Sequence, residues 1–164
     1  MIEKTFPITE KLLETGLRGT QKLFELLSHE HEQLKQGRNP DLLSALAQDK
    51  RDAVTQLEQF SKQFGQVLAT EKLIMGVDGI SHYFDKAKQA HFNIAHAWQT
   101  WLSITDLSKK CRLINEQNGA SIALLSRHTQ RSLQLLRGKS QLATTYGPDG
   151  STRSELFSQT RISV

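Results

Sequence analysis

The chain has few of the residues that interrupt helices or cross-link chains. Its 164 residues include one cysteine, three prolines and ten glycines. The single cysteine, Cys111, cannot form an intrachain disulfide, so nothing in the sequence requires an oxidising compartment. Because the prolines and glycines are confined to a few places, long stretches rich in Leu, Gln, Lys, Glu and Ala are uninterrupted, and these stretches predict long helices.

Long apolar runs are also lacking. No window approaches the roughly 18 consecutive apolar residues that a membrane-spanning helix needs. The N-terminal sequence MIEKTFPITEKLL has neither the basic start nor the apolar core of a signal peptide. We therefore predict a cytoplasmic protein without stable membrane insertion, and a single domain is the default for this length.

Metal-binding and catalytic patterns are lacking as well. His29 and His31 point about 200° from each other on a helix, whereas helical zinc sites use a spacing of three or four, so residues 29–32 are expected to be solvated. The stretch 76–79 lacks the strand and the lysine of a phosphate-binding loop. The residues after His128 do not match the pattern of histidine phosphotransfer domains. We predict a non-enzymatic protein with no cofactor and no metal site.

Apolar periodicity predicts two helices in the first half of the chain. Within 8–36, leucines recur at spacings of three, four and seven among polar residues, which is typical of an amphipathic helix. Asn39 can then cap a new helix, Pro40 suits its first position, and Asp41 favours its positive end. The second helix spans 40–72, and the two helices should form an antiparallel pair.

The second half of the chain is expected to contain one very long helix. Two glycines predict a loop at 75–79, with a short helical turn at 81–86. From about 91 to 137 we expect a third helix, which at 1.5 Å per residue exceeds about 60 Å. The fold class is therefore all-α: an antiparallel helical hairpin packed on a long C-terminal helix. The helical domain spans 1–138, and a Ser-, Thr- and Gly-rich flexible tail spans 139–164.

The predicted third helix is apolar on more than one side. Its main stripe contains Leu107, Cys111, Ile114, Asn118, Ile122, Leu125, Thr129, Leu133 and Leu136. Leu113, Leu124 and Leu135 form a second row with an eleven-residue repeat, well away from that stripe. If the main stripe packs on the hairpin, the second row is available to another chain. Burial on both sides or a homodimer is the alternative. Asn118 either fixes the packing register or is simply exposed beside Gly119.

Positive charge is concentrated on this helix. The formal net charge of the chain is +4. Within 107–137 the charged residues are Lys109, Lys110, Arg112, Glu116, Arg127, Arg131 and Arg137. This basic surface could attract nucleic acid, an anionic membrane or an acidic protein, or simply aid solubility. Trp98 and Trp101 are expected to be core anchors rather than platforms for stacking bases.

The end of the chain contains its most specific motifs. Asn115, Asn118 and Gly119 lie in the predicted third helix. The segment 145–152 reads Thr-Tyr-Gly-Pro-Asp-Gly-Ser-Thr, and within it 146–150 is a predicted turn flanked by short β-prone runs. These residues resemble the FlgN family of flagellar type III export chaperones, whose long final helix has an Asn-Gly step and whose tail has the form Leu-Tyr-Gly-x-Asp-Gly-x-Thr. The leucine-rich hairpin, with Asp49-Lys50 near the start of its second helix, also resembles the family.

The resemblance implies a chaperone that holds hook-associated proteins unassembled in the cytoplasm and delivers them to the export gate, with contacts to the export ATPase apparatus. The long helix would bind the C-terminal helical segment of the client. The client-binding residues expected on this basis are Leu113, Asn118, Gly119, Leu124, Arg127, Arg131 and Leu135. The residues expected to dock on the export gate are Tyr146, Gly147, Asp149 and Gly150.

Two alternatives from other classes remain open at this point. One is a basic helical nucleic-acid-binding protein, for which affinity would fall steeply with salt. The other is a structural coiled-coil homo-oligomer, in which the second leucine row would be a self-contact. The chaperone hypothesis involves no nucleic acid and leaves monomer or homodimer open. Secretion chaperones are often acidic, whereas this chain is basic; if its basic face meets the client, the client segment should be acidic.

Overall fold

The computed structural model describes residues 1–36, 39–136, 145–146 and 152–153, and these residues are almost all helical. The elements in order are α1 (Ile2–Gln36), α2 (Pro40–Thr70), α3 (Val77–Gln89), α4 (Ala95–Leu136), β1 (Thr145–Tyr146) and β2 (Thr152–Arg153). The predicted all-α fold, a hairpin with a long C-terminal helix, is confirmed. The chain divides into two compact units, Met1–Ser121 and Ile122–Val164. The predicted boundary at 138 and the proposed flexibility of 139–164 concern residues outside the described ones, apart from the two short strands.

Helix α1 begins at Ile2, six residues before the predicted start. Pro7 therefore lies inside the helix, where it cannot donate a backbone hydrogen bond. Ile2 and Phe6 explain the early start, because both side chains are buried in the core and their packing stabilises the turn before the proline. Burial of this N-terminal turn outweighs the local preference against helix around proline.

Helix α2 begins as the sequence predicts. The Asn39 side-chain Oδ1 accepts hydrogen bonds from the backbone N–H of Asp41 at 3.0 Å and of Leu42 at 3.3 Å. Pro40 occupies the first turn and Asp41 lies near the positive helix end, as expected. The helix ends at Thr70, two residues before the predicted end.

Helices α1 and α2 form the predicted antiparallel hairpin. Contacts pair early residues of α1 with the end of α2 and late residues of α1 with its start. Thr5 Oγ1 donates to Glu71 Oε1 just past the end of α2 at 2.9 Å, whereas Glu30 contacts Lys50 at 2.6 Å. Between them, the Phe60 ring packs so closely on Gly16 that a Cβ there would lie 2.7 Å from ring carbons. Gly16 is therefore required by the close helix–helix contact.

Helix α3 corrects the prediction for the middle of the chain. The expected loop at 75–79 and the single turn at 81–86 are wrong in extent, because the helix runs from Val77 to Gln89. A Cβ on Gly79 would lie 1.9 Å from the Ile74 carbonyl oxygen, so the loop backbone crosses the first turn of α3 where only glycine fits. Gly79 is therefore needed for this close approach, and it does not mark a continuation of the loop. Tyr83 and Phe84 anchor α3 in the core.

Helix α4 contains 42 residues, so it is about 63 Å long at 1.5 Å per residue. It begins at Ala95, four residues after the predicted start. His91 adopts a left-handed conformation with φ 63°, which ends the preceding helix, and Asn93 Oδ1 accepts a hydrogen bond from the Ala95 N–H at 3.1 Å. The predicted length of more than forty residues is confirmed.

Candidate functional site

Aromatic side chains fix the first turns of α4 on the other helices of the Met1–Ser121 unit. Trp98 meets Phe84 of α3 edge-to-face, with ring centroids 5.1 Å apart, and Trp101 packs on Phe64 of α2 at 5.6 Å. Both tryptophans are partly buried against the core. Their predicted role as core anchors is confirmed. Because they are three residues apart, the two tryptophans lie on the same face of α4, where one packs on α3 and the other on α2.

Further along α4, a buried polar cluster joins three helices. Asn118 of α4 is 1% exposed, and its Nδ2 donates to the Leu27 carbonyl oxygen and to Glu30 Oε2 of α1, each at 2.9 Å. Its Oδ1 lies 2.9 Å from His31 Nδ1. Since the amide oxygen can only accept, His31 donates from Nδ1 in this arrangement. Lys50 of α2 completes the cluster with Nζ 2.6 Å and 2.7 Å from the Glu30 carboxylate oxygens.

The cluster explains how a buried carboxylate is tolerated. Glu30 is 2% exposed, and an uncompensated charge at this depth would cost several kcal/mol. Both of its oxygens accept from Lys50, and one also accepts from Asn118. The expectation that residues 29–32 are all solvated is therefore wrong for Glu30, which is buried, and for His31, which is half-buried. Helical spacing correctly argued against a metal pair but could not show that another helix packs here.

Asn118 has a different position from the one expected for a client-binding residue. All three of its polar contacts are with α1, so its side chain is enclosed within the Met1–Ser121 unit. Of the two sequence-based interpretations, the register-fixing role fits this geometry and simple exposure does not. Gly119 is exposed, and a Cβ built on it would meet nothing within 4 Å. No contact in the described residues therefore requires glycine at this position.

The second apolar row lies in solvent where the structure describes it. Leu113, in the Met1–Ser121 unit, is 57% exposed. Leu124, in the Ile122–Val164 unit, is 54% exposed. The backbone of Leu135 is helical, but its side chain lies outside the described part of the chain. These exposures agree with the expectation that the row remains available after folding.

In the Ile122–Val164 unit the main stripe is exposed too. Every described side chain from 122 to 134 is exposed, including Ile122, Leu125 and Leu133 at 47%, 40% and 45%. Arg127 and Arg131 are also exposed, and Arg127 Nε donates to the Ala123 carbonyl oxygen at 3.4 Å. This segment of α4 is thus a helix with large aliphatic side chains in water, which is characteristic of an interaction surface.

The basic residues earlier in α4 are partly neutralised by neighbours. Lys110 lies 2.8 Å from Asp106, and Arg112 lies 3.0 Å from Glu116. Both are exposed i,i+4 pairs, which contribute little to stability and exchange readily with other partners. The cations therefore remain accessible to a ligand with negative charge.

Of the residues expected to dock on the export gate, the structure describes Tyr146. Tyr146 is in β1, which pairs antiparallel with β2, so that Thr145 opposes Arg153 and Tyr146 opposes Thr152. Tyr146, which the sequence placed in the predicted turn, therefore lies in a strand, whereas Thr145 and the residues of β2 lie in the runs that flank that turn. Gly147, Asp149 and Gly150 lie outside the described residues.

Two properties bear on the class of protein. Among the described residues, no group of three or more His, Cys, Asp or Glu side chains is placed to hold a metal ion. None of the described helices combines the length and apolar character needed to cross a bilayer.

Comparison with protein families matches residues 5–154 to the family described as FlgN protein. The matched range covers α1 from Thr5 onward, α2, α3, the whole of α4 and both strands. The chain belongs to the FlgN family. No curated protein and no solved structure gives a significant match.

The FlgN family consists of flagellar export chaperones, and its members bind flagellar hook-associated proteins. Membership supports a flagellar export chaperone role for this FlgN-family chain and favours it over the nucleic-acid and coiled-coil alternatives. The Asn-Gly step that suggested the family thus has two distinct environments: a buried Asn118 that joins α4 to α1, and an exposed Gly119. Lys50, singled out by the same resemblance, is the cation that pairs with Glu30.

Proposed function

We propose that this FlgN-family chaperone binds hook-associated flagellar proteins in the cytoplasm, keeps them unassembled and delivers them to the type III export gate. The observation that carries the proposal is the exposure of every described side chain from 122 to 134 of α4, among them four large aliphatic residues. An amphipathic client helix can cover such a surface by placing apolar residues at helical spacing against it.

The two arginines restrict the chemistry of the client segment. At 100° per residue, Leu124, Arg127 and Arg131 fall within about 60° of one another around the helix. A client helix lying on this side would therefore meet an aliphatic residue flanked by two cations. We expect its complementary face to combine apolar anchors with Asp or Glu, since opposite charges favour the correct partner and speed its association.

On the Met1–Ser121 unit, Gly119 and Leu113 are further proposed client contacts. Leu113 precedes Leu124 by one eleven-residue repeat, and its exposure leaves it free to contact a client. Glycine in a helix interior costs roughly 0.5–1 kcal/mol relative to alanine, and nothing within the described structure offsets that cost at Gly119. A close approach of the client backbone would give the glycine a function.

Delivery requires a second, separate contact. We propose that Tyr146, with Gly147, Asp149 and Gly150, makes this contact with the export gate, and that the export ATPase apparatus also binds the loaded chaperone. The support is the match of residues 5–154 to the FlgN family, which reaches across this segment. An aromatic side chain in a short polar segment suits a weak and reversible contact.

The proposal is tested by affinity capture from a lysate of flagellated cells. The intact chain and a version ending at Lys139 serve as baits, and mass spectrometry identifies the retained proteins. We expect hook-associated proteins with both baits and export-gate protein with the intact chain alone. Recovery of nuclease-sensitive nucleic acid in place of hook-associated proteins would overturn the proposal.

A matched pair of variants separates client binding from delivery. Tyr146→Ala should retain hook-associated proteins and lose the gate protein, whereas Leu124→Asp should lose the hook-associated proteins with unchanged helical content by circular dichroism. Ile8→Asp is the control, because Ile8 is 52% exposed on α1 and a charge there should affect neither contact.

A further inference from the structure

A groove on the Met1–Ser121 unit is about as long as three turns of a helix. It lies between α2 and α4, with α1 as its floor, and encloses about 810 Å³. The α2 wall runs from Ala47 to Glu58, a distance of about 16 Å or three helical turns at 1.5 Å per residue. Both walls pack on α1, but here they stand apart, so a fourth helix of about three turns would complete a four-helix packing.

Apolar side chains line the base of the groove, and an apolar side chain on its α2 wall is exposed to solvent. Leu23 and Leu27 of α1 and Cys111 of α4 form the floor. Val54 lies on the α2 wall with 41% of its surface exposed, and Leu57 beside it is half-buried. An amphipathic helix could place its apolar residues, spaced at i, i+3, i+4 and i+7, against these aliphatic side chains.

The charges around the groove determine which helix it suits. Lys50 also lines it, but the buried Glu30 carboxylate already neutralises this ammonium group, so covering it leaves no unpaired charge. The rims carry Arg51 on α2 and Arg112 on α4, against the single carboxylate of Glu58. Arg51 donates a hydrogen bond to exposed Gln48 at 2.5 Å, and Arg112 donates one to exposed Glu116 at 3.0 Å. An incoming carboxylate can replace both of these partners.

We infer that this groove seats a helical segment of the client with an apolar face and acidic flanks, in addition to the contact on the 122–134 surface of α4. The inference rests on the proposed function, because it takes the hook-associated protein as the source of the segment. Charge complementarity favours an acidic client segment, since arginines on opposite rims can bind carboxylates on both flanks of one helix.

The test is a titration of full-length wild-type and variant chaperone with a purified hook-associated protein. Val54→Asp places a carboxylate on the apolar wall, and Leu102→Asp is the control, since Leu102 is 43% exposed on α4 and does not line the groove. We expect Val54→Asp to weaken binding at least tenfold and Leu102→Asp to stay within twofold of wild type, with unchanged circular dichroism for both.

Rim variants keep the test valid if Val54→Asp unfolds. Arg51→Glu should weaken binding and Glu58→Lys should strengthen it, with both effects shrinking at high salt. Client binding that is unchanged in Val54→Asp and in both rim variants would overturn the groove assignment while leaving the proposed function intact.

Two other outcomes also overturn the assignment. If wild-type chaperone binds no hook-associated protein, the proposed function and this inference both fail. If Val54→Asp converts a dimer into a monomer in analytical ultracentrifugation without changing client affinity, the occupant is a second copy of the chain and not the client.

Discussion

The replacement of Asn118 by alanine should destabilise the protein substantially, because its buried amide makes three hydrogen bonds from α4 to α1. The substitution removes hydrogen bonds to the Leu27 carbonyl oxygen, the Glu30 carboxylate and the His31 ring. Hydrogen bonds between neutral groups contribute about 0.5–1.5 kcal/mol each, and those to charged groups about 1.5–3 kcal/mol. Their sum is roughly 2.5–6 kcal/mol by the same figures.

We expect the loss of unfolding free energy to be smaller than the upper end of that range. Glu30 keeps its two contacts with Lys50, so the carboxylate is not left unpaired. Water can also enter the space left by the amide and bind some of the freed groups. We therefore expect the free energy of unfolding to fall by about 2–4 kcal/mol, a large share of the roughly 5–15 kcal/mol that stabilises a typical domain.

Urea unfolding followed by circular dichroism measures this loss. Asn115→Ala is the control, since Asn115 lies three residues earlier on the same helix and is exposed. It should change the free energy of unfolding by less than about 0.5 kcal/mol. A fall of less than about 1 kcal/mol for Asn118→Ala would refute the reasoning, because it would mean that the buried cluster does not hold α4 on the hairpin.

Three further predictions concern other sites. Gly79→Ala should lower the free energy of unfolding by about 2 kcal/mol or more, because its Cβ would overlap the Ile74 carbonyl oxygen. Gly65→Ala, where a Cβ meets nothing within 4 Å, should raise the free energy of unfolding by about 0.5–1 kcal/mol. Urea unfolding of both variants measures the two changes. Burial raises the pKa of the Tyr83 phenol above 10.0, so the folded state holds this proton more tightly than the unfolded state. The stability difference between wild type and Tyr83→Phe should therefore shrink as pH rises above about 10. Unfolding curves between about pH 8 and 11 measure this change. Burial also raises the pKa of the Cys111 thiol, so an aromatic disulfide reagent should modify it slowly in the native protein and rapidly in urea; equal rates would contradict its place in the core.

The helices were largely predictable because their signals are local. Asn39 and Pro40 start α2 through contacts within a few residues, and the uninterrupted stretch after residue 91 produces α4. The start of α1 and the extent of α3 were not predictable in this way. They depend on the burial of Phe6 beyond Pro7 and on the close approach of Ile74 to Gly79, and both are contacts that form only after the chain folds.

The candidate site was predictable in part for the same reason. The eleven-residue repeat of Leu113 and Leu124 is visible along one helix, but the sequence left open whether the row is exposed or buried; the structure shows both side chains exposed. The pairing of Glu30 with Lys50 and Asn118 joins residues that are 20 and 88 positions apart. No spacing within a single helix encodes such a contact, so the sequence placed Glu30 among solvated residues. The family resemblance drew attention to Lys50 and Asn118 without revealing that they meet.

The most direct test of the central claim is the affinity of a purified hook-associated protein for three versions of the chaperone: wild type, Leu124→Asp and the exposed-site control Ile8→Asp. The account predicts tight binding by wild type and by the control, and at least tenfold weaker binding by Leu124→Asp at equal helical content. Equal affinity for all three versions would contradict the claim that the exposed surface of α4 holds the client.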